Sequence, residues 1–265
     1  MVVPQRDEHR DIARIRYALY GAIRVLSAYT PGEVQADDKG GDPVTEADRA
    51  VNLAIHDCLY NDQEGWLSEE TADDLNRLEK RRVWVVDPID GTKEFVAGIP
   101  EWAVSVGLVE DGAPTAGGIL NPESWQVVIG TIDAGVELND SPASVTHEQP
   151  LEGARVLASR SEVGRGEWER FDGAPFSYVP TGSVAYKMAM VAAGRADATF
   201  TLSPKNEWDI AAGVALVHAA GGKVVDTAGE PIVFNKRETL SPGLIAGSPR
   251  LVDELLAYLR ETGAL

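Results

Sequence analysis

The chain is poor in the residues that most often announce a mechanism. Its 265 residues hold one cysteine, Cys58, and four histidines. A single cysteine excludes an intrachain disulfide and a thiolate metal cluster. Cys58 follows Ile55 at helical spacing and reads as a small core residue rather than a reactive thiol. The histidines are scattered and no His-Glu-x-x-His is present, which argues against zinc. No apolar run approaches the ~20 residues that span a bilayer. The opening MVVPQRDEHRD is charged and has no apolar leader core, so a cytoplasmic location is the expectation. The G-x-x-x-x-G-K, G-x-G-x-x-G and G-x-S-x-G motifs are all missing. Positive charge is also scarce: 24 Lys and Arg against 42 Asp and Glu give a formal net charge of −18. Nucleic acid and anionic membranes are therefore poor partners. A small phosphorylated molecule would be repelled too, unless bound cations reverse the local field.

What is present is a mixed α/β pattern. Residues 7–29 carry Ile12, Ile15, Leu19, Ile23 and Leu26 at steps of three and four, which predicts an amphipathic helix ended by Pro31. A polar loop with adjacent Gly40 and Gly41 follows, expected to be mobile unless a ligand orders it. A second helix fits 45–60, and a short strand 64–68. Residues 83–86, Val-Trp-Val-Val, read as a buried strand ending at Asp87. From 103 to 136, short apolar runs split by turn signals predict antiparallel strands. Residues 140–150 are polar with two prolines and read as a joint, dividing the chain into an α+β lobe (1–140) and an α/β lobe (151–265) that share one site. The second half alternates: strand 155–158, helix 183–193, strand 196–202, helix 209–220, strands 223–226 and 244–246, and a last helix capped by Ser248 with Pro249 in its first turn.

Four acidic clusters stand at element ends: PVTEAD with Asp48, LSEE with Glu69 and Glu70, DPIDGT with Asp87, Asp90 and Thr92, and EWDIAAG with Asp209. Each has an ordinary reading. Thr45 and Asp48 fit a capping pair, Glu69 and Glu70 a solvated surface pair, Asp-Pro-x-Asp-Gly a turn, and Asp209 a helix cap. Together they fit a hard divalent cation, which takes several carboxylate oxygens. Two such ions need a bridging carboxylate, and Asp87 at a strand end can serve. Asp90 and the Ile89 carbonyl can each reach one ion, with Glu69 and Asp209 completing opposite sides. An EF-hand is excluded, because its third position would be Ile89 and its sixth Thr92.

These four blocks in this order, with Gly221-Gly222 after Trp208-Asp209, resemble the inositol monophosphatase superfamily, Mg²⁺-dependent and lithium-sensitive phosphomonoesterases. The matching blocks run from about residue 39 to 247. The resemblance implies an α/β fold, a layered α/β/α/β/α sandwich of the inositol monophosphatase and fructose-1,6-bisphosphatase type. It implies one Mg²⁺ on Glu69, Asp87 and the Ile89 carbonyl, and a second on Asp87, Asp90 and Asp209. Asp48 matches a residue near a third, weaker ion. Glu69 and Thr92 match the pair that orients and deprotonates the attacking water. The Gly91 and Thr92 amides match a phosphate cradle, and Gly182-Ser183 the pair that contacts substrate hydroxyls. The family's members are commonly homodimers, which is carried as an expectation; some serve as partners of transcription or ribosome assembly, a non-enzymatic alternative that would let the metal ligands erode, whereas every ligand position is filled here.

The substrate class divides the resemblance. Inositol monophosphatases place a Glu seven residues before the Trp-Asp aspartate, where this chain has Leu202. The stretches LSEE, TKEF and FNKRETL resemble bacterial 3′(2′),5′-bisphosphate nucleotidases, which convert adenosine 3′,5′-bisphosphate to AMP and phosphate. On that reading Lys205, Lys236 and Arg237 meet a second phosphate. Inositol-1-phosphate is the first alternative, since GIPEWAVSVGLVEDGAPTAGGILNP resembles inositol monophosphatases equally well, and histidinol phosphate or a sugar phosphate are the others.

Overall fold

The computed structural model describes residues 8–39, 42–147 and 149–265, so Gly40 and Gly41 of the polar loop lie outside it. The first periodic segment forms α1 (Glu8–Leu26), whose buried stripe is Ile15, Ala18, Leu19, Ala22 and Leu26. β1 (Ala36–Lys39) and β2 (Asp42–Thr45) pair antiparallel and lead into α2 (Glu46–Leu59). Thr45 caps α2 and Asp48 completes a reciprocal capping box, so the capping reading of that pair holds.

β3 (Gly65–Ser68) runs parallel to β4 (Arg82–Asp90). The six-residue α3 (Thr92–Ala97) intervenes before β5 (Ala103–Glu110), β6 (Ala113–Asn121), β7 (Gln126–Thr131), β8 (Gly135–Leu138) and β9 (Ser141–Ala143). These seven strands form one sheet in chain order, antiparallel from β4 onward. The start of the expected joint is thus taken into the sheet as β9.

The second half supplies β10 (Arg155–Ser159), α4 (Arg160–Gly164), β11 (Ser177–Thr181), α5 (Val184–Ala192), β12 (Ala198–Thr201), β13 (Lys205–Asn206), α6 (Glu207–Ala219), β14 (Lys223–Val225), β15 (Leu240–Ser241), β16 (Leu244–Gly247) and α7 (Pro249–Glu261). A five-stranded sheet has the order β11-β10-β12-β16-β14, and β13 pairs with β15 apart from it. The expected helix at 209 starts two residues earlier, because Asn206 takes the cap and Asp209 becomes its third-position partner.

Layering follows from which faces are apolar. α1 and α2 cover one face of the seven-stranded sheet through Trp84, Val86, Val104 and Val106. α5 and α6 fill the space between the sheets. α7 and an aromatic cluster of Trp168, Phe171, Phe176 and Phe200 cover the far face of the five-stranded sheet. This is the α/β/α/β/α sandwich. α6 is apolar all round, with every residue from Ile210 to Val217 buried, as a helix between two layers must be. It rests on bare strand: a Cβ on Gly107 would come 2.8 Å from the Ala212 nitrogen, and one on Gly117 2.6 Å from its carbonyl oxygen.

β4 departs from expectation at its end. Ladder pairing with β5 continues to Asp90, but Asp87 faces Ser105 and Asp90 faces Ala103, a bulge of one residue around Pro88 and Ile89. Proline has no N–H to give the ladder. The bulge turns the chain so that two acids three apart meet the same cleft.

Candidate active site

Strand alternation aims Asp87. Val83 and Val85 face α6, while Trp84 and Val86 face α1 and α2. Asp87 continues the first series and is buried, with 2% exposure. Its Oδ1 accepts the Ile89 amide at 3.0 Å. Burial pushes its carboxyl well above the usual carboxylate range, and the neighbouring Glu69, Asp90, Asp209 and Asp48 push it further. Glu69 arrives beside it because its amide extends the β3–β4 pairing to the Val86 carbonyl at 3.3 Å.

Asp48 enters from α2. Its Oδ2 accepts the Thr45 amide at 2.8 Å and hydroxyl at 2.6 Å, and its Oδ1 faces the Thr92 hydroxyl at 3.2 Å. Burial raises its carboxyl against those donors. Thr92 Oγ1 also lies 2.9 Å from the Ile89 carbonyl, so its one proton has two acceptors and the hydroxyl is held between them. Asp90 Oδ2 accepts the Ser183 hydroxyl and the Ala185 amide, each at 2.5 Å. Burial raises Asp90 while these donors, with Lys187 and Lys205 nearby, lower it. Ser183 sits at φ +55 as the cap of α5, also accepting the Tyr186 amide. That strained backbone is held where it supports an acid. Asp209 Oδ2 accepts the Asn206 amide at 2.9 Å.

A cavity of 140 Å³ is lined by Pro43, Glu69, Asp87, Ile89, Asp90, Gly91, Thr92, Lys93 and Glu94. A second, of 200 Å³, shares Asp90, Gly91, Lys93 and Glu94 with it and adds Arg160, Arg165, Gly182, Ser183, Lys187 and Lys205. Gly91 adopts φ +96. A Cβ on Gly182 would come 2.5 Å from the Glu101 carbonyl, so only glycine fits there. Its amide donates to Glu101 Oε2, which also accepts from Arg160 at 2.6 Å. A larger groove of 750 Å³ near Asn139, His147 and Arg195 contains none of the expected site residues.

The structure therefore brings Asp48, Glu69, Asp87, Ile89, Asp90, Gly91, Thr92, Gly182, Ser183 and Lys205 to one place. Lys236 and Arg237 do not line either cavity; the Lys236 ammonium donates to the Leu240 carbonyl at 3.1 Å. Leu202 is drawn against the aromatic cluster of the outer layer. Sequence reasoning missed Arg160, Arg165 and Lys187. Lys187 is buried in an otherwise apolar helix, donating to the Thr181 and Ser183 carbonyls at 3.3 and 3.0 Å. Burial lowers its ammonium to about 8. A lone lysine among apolar residues, four after Ser183, was the available signal.

The donor set is all oxygen. Among the described residues no three acidic, histidine or cysteine side chains are grouped tightly enough to hold an ion as they stand. The acids ring the cleft, and the like charge pressed on buried Asp87 is what a hard cation would relieve, so the residues fit Mg²⁺.

The chain is similar to known proteins along nearly its whole length. The Escherichia coli K12 protein called Nus factor SuhB is 31% identical over 243 residues, covering 88% of each chain. An inositol monophosphatase of Mesembryanthemum crystallinum is 32% identical over 204 residues, 71% of this chain and 74% of that one. The extragenic suppressor protein suhB of Bartonella henselae superposes with a TM-score of 0.80 at 29% identity, covering 96% and 98% of the two chains. Residues 8–264 match the inositol monophosphatase family. This chain belongs to that family of phosphatases.

Proposed function

We propose that the chain hydrolyses a small phosphate monoester with Mg²⁺ held by Glu69, Asp87, Asp90, Asp209 and the Ile89 carbonyl. The observation that carries the reading is buried Asp87, pressed by four other carboxylates. When bound, Mg²⁺ supplies positive charge for the phosphoryl oxygens and acidifies water. Thr92, fixed between Asp48 and the Ile89 carbonyl, orients the attacking water, and Glu69 with Thr92 takes its proton. The water oxygen bonds to phosphorus as the ester P–O bond opposite it breaks, and the departing alkoxide takes up a proton from solvent, giving the alcohol and inorganic phosphate. The Gly91 and Thr92 amides donate to phosphoryl oxygens as charge builds. Ser183 and the Ala185 amide keep Asp90 in register.

The substrate carries a second phosphate, as adenosine 3′,5′-bisphosphate does. Support comes from the second cavity, where Lys93, Arg160, Arg165, Lys187 and Lys205 stand beside Asp90, Glu94 and Glu162, an excess of bases in a chain of net charge −18, although Arg160 also pairs with Glu101 and Arg165 with Glu167. Leu202, packed into the aromatic layer, leaves no carboxylate at that position for a polyol. A partner-only role, as the Nus factor name of the Escherichia coli relative raises, would not need the acids retained here.

The test is phosphate release in Mg²⁺ from adenosine 3′,5′-bisphosphate and inositol-1-phosphate side by side. A strong preference for the nucleotide is expected. Preference for the inositol ester would sink the second-phosphate reading, and no release from either, or from simple sugar phosphates, would sink the enzyme.

A further inference from the structure

The turn at Asn235–Lys236 is clamped from two sides. Glu207 opens α6 two residues before Asp209 and is buried, with 1% exposure. Its Oε2 accepts the Asn235 amide at 2.8 Å and its Oε1 the Lys236 amide at 3.0 Å. Arg77, equally buried, reaches the same turn from the segment that follows Glu69 and Glu70. Its Nη1 donates to Asn235 Oδ1 at 2.7 Å and its Nη2 to the Lys236 carbonyl at 2.9 Å. Asp73 accepts from the same guanidinium at 3.1 and 2.8 Å. Asn235 stands at φ +56 and returns a bond to the Arg77 carbonyl. Farther on, Thr239 donates to Asn206 Oδ1 at 3.0 Å, and Leu240 and Ser241 pair with Asn206 and Lys205. Residues 235–241 are thus a strap over 205–209, buckled to the other half of the chain.

Burying a guanidinium and a carboxylate is costly, and apolar packing would serve cohesion as well. What hydrogen bonds add is direction. Glu207 is spent on backbone amides, so the first turn of α6 cannot rotate without breaking both bonds. We propose that Arg77 and Glu207 are positioning residues: through the strap they set the Asp209 carboxylate beside Asp87 and hold Lys205 at the second cavity. The proposal rests on Asp209 being an Mg²⁺ ligand, and it gives the 235–241 segment a role in place of direct phosphate contact.

The test is calorimetric Mg²⁺ binding to the full chain, with melting temperature, kcat and KM measured alongside. Glu207→Gln turns one acceptor into a donor facing an amide. Asn235→Gly keeps the left-handed backbone and removes both side-chain bonds to Arg77. Glu64→Gln, which breaks a buried ionic network at the opposite end of β4, is the control. At temperatures where each is folded, both strap variants are expected to weaken Mg²⁺ binding roughly 10-fold or more and to lower kcat. Glu64→Gln is expected to lower the melting temperature and leave Mg²⁺ affinity unchanged. If Glu207→Gln does not fold, Asn235→Gly decides. Wild-type affinity in the folded strap variants overturns the proposal, and so does equal weakening in Glu64→Gln. A wild-type protein that binds no Mg²⁺ overturns the reading of the site itself, and this proposal with it.

Discussion

The two ends of β4 hold acids in opposite ways. At the Arg82 end, three carboxylates meet two guanidiniums. Arg82 bonds Asp11 at 2.6 Å, Glu64 at 3.0 Å and also Glu110, while Arg14 meets Glu64 at 2.6 and 2.9 Å. Trp84 Nε1 adds an indole donor to Glu64 at 2.9 Å. Burial alone would raise the Glu64 carboxyl, but Arg14, Trp84 and Arg82 override it and hold it at about 2. At the Asp87 end the acids crowd one another, and Asp87 moves the other way. One strand thus carries a charge cluster met by neighbouring guanidiniums and another in which carboxylates crowd one another, the crowding that the proposed cation would relieve. Perturbed groups of the second kind mark function; those of the first mark architecture.

The largest expected effect breaks the ligand-dependent end. Asp87→Asn should cut turnover at least about a thousandfold, some 4 kcal/mol of transition-state stabilisation. Without Mg²⁺ it should melt no lower than wild type, because it removes one of several repelling charges. Wild-type turnover would refute the two-metal reading, and a large loss of apo stability would mean that Asp87 is structural. Next in size, Glu64→Gln should cost about 2–3 kcal/mol in chemical denaturation by leaving the half-buried Arg14 and Arg82 guanidiniums short of a partner. Activity of the folded variant should be untouched.

Mg²⁺ itself should separate the two ends. At a hundred times its dissociation constant it should stabilise wild type by about 2.7 kcal/mol. The same gain should appear in Glu64→Gln and vanish in Asp87→Asn; equal gains in all three would place the cation elsewhere. The smallest effect is read by acid. Glu64 titrates lower folded than unfolded, so its contribution is complete above about pH 4.5 and drains away as the pH falls toward about 2. The stability gap between wild type and Glu64→Gln, measured in metal-free buffer, should narrow across that window. A gap constant from pH 5 to 3 would contradict the depressed carboxyl.

Much of this was legible in the sequence where local rules act. Periodicity in α1, the cap at Thr45 and alternation along β4 each depend on near neighbours, and the acids at element ends pointed to the candidate site. Thr45 and Asp48 show why competing readings need not exclude each other: one carboxylate oxygen closes the cap while the other faces Thr92. The β4 bulge was read as a strand end, because Pro88 signals a break without saying that pairing resumes at Asp90. Lys236 and Arg237 were read by charge alone. Their turn's role rests on backbone amides donated to Glu207 across a long stretch of sequence, which leaves no pattern. Lys187 was hidden by its setting, since an apolar helix reads as core.

The seating of α6 on glycine-bared strands has a consequence for synthesis. The seven-stranded sheet is nearly assembled once β7 has emerged at Thr131, yet the helix that covers its inner face ends at Ala219. A ribosome needs about 4–18 s to make the intervening stretch. Throughout that interval the nascent chain presents an apolar face shaped for a helix that does not yet exist. Pausing or truncation there should yield fragments prone to aggregation, because the inner face of the sheet stays uncovered until α6 emerges.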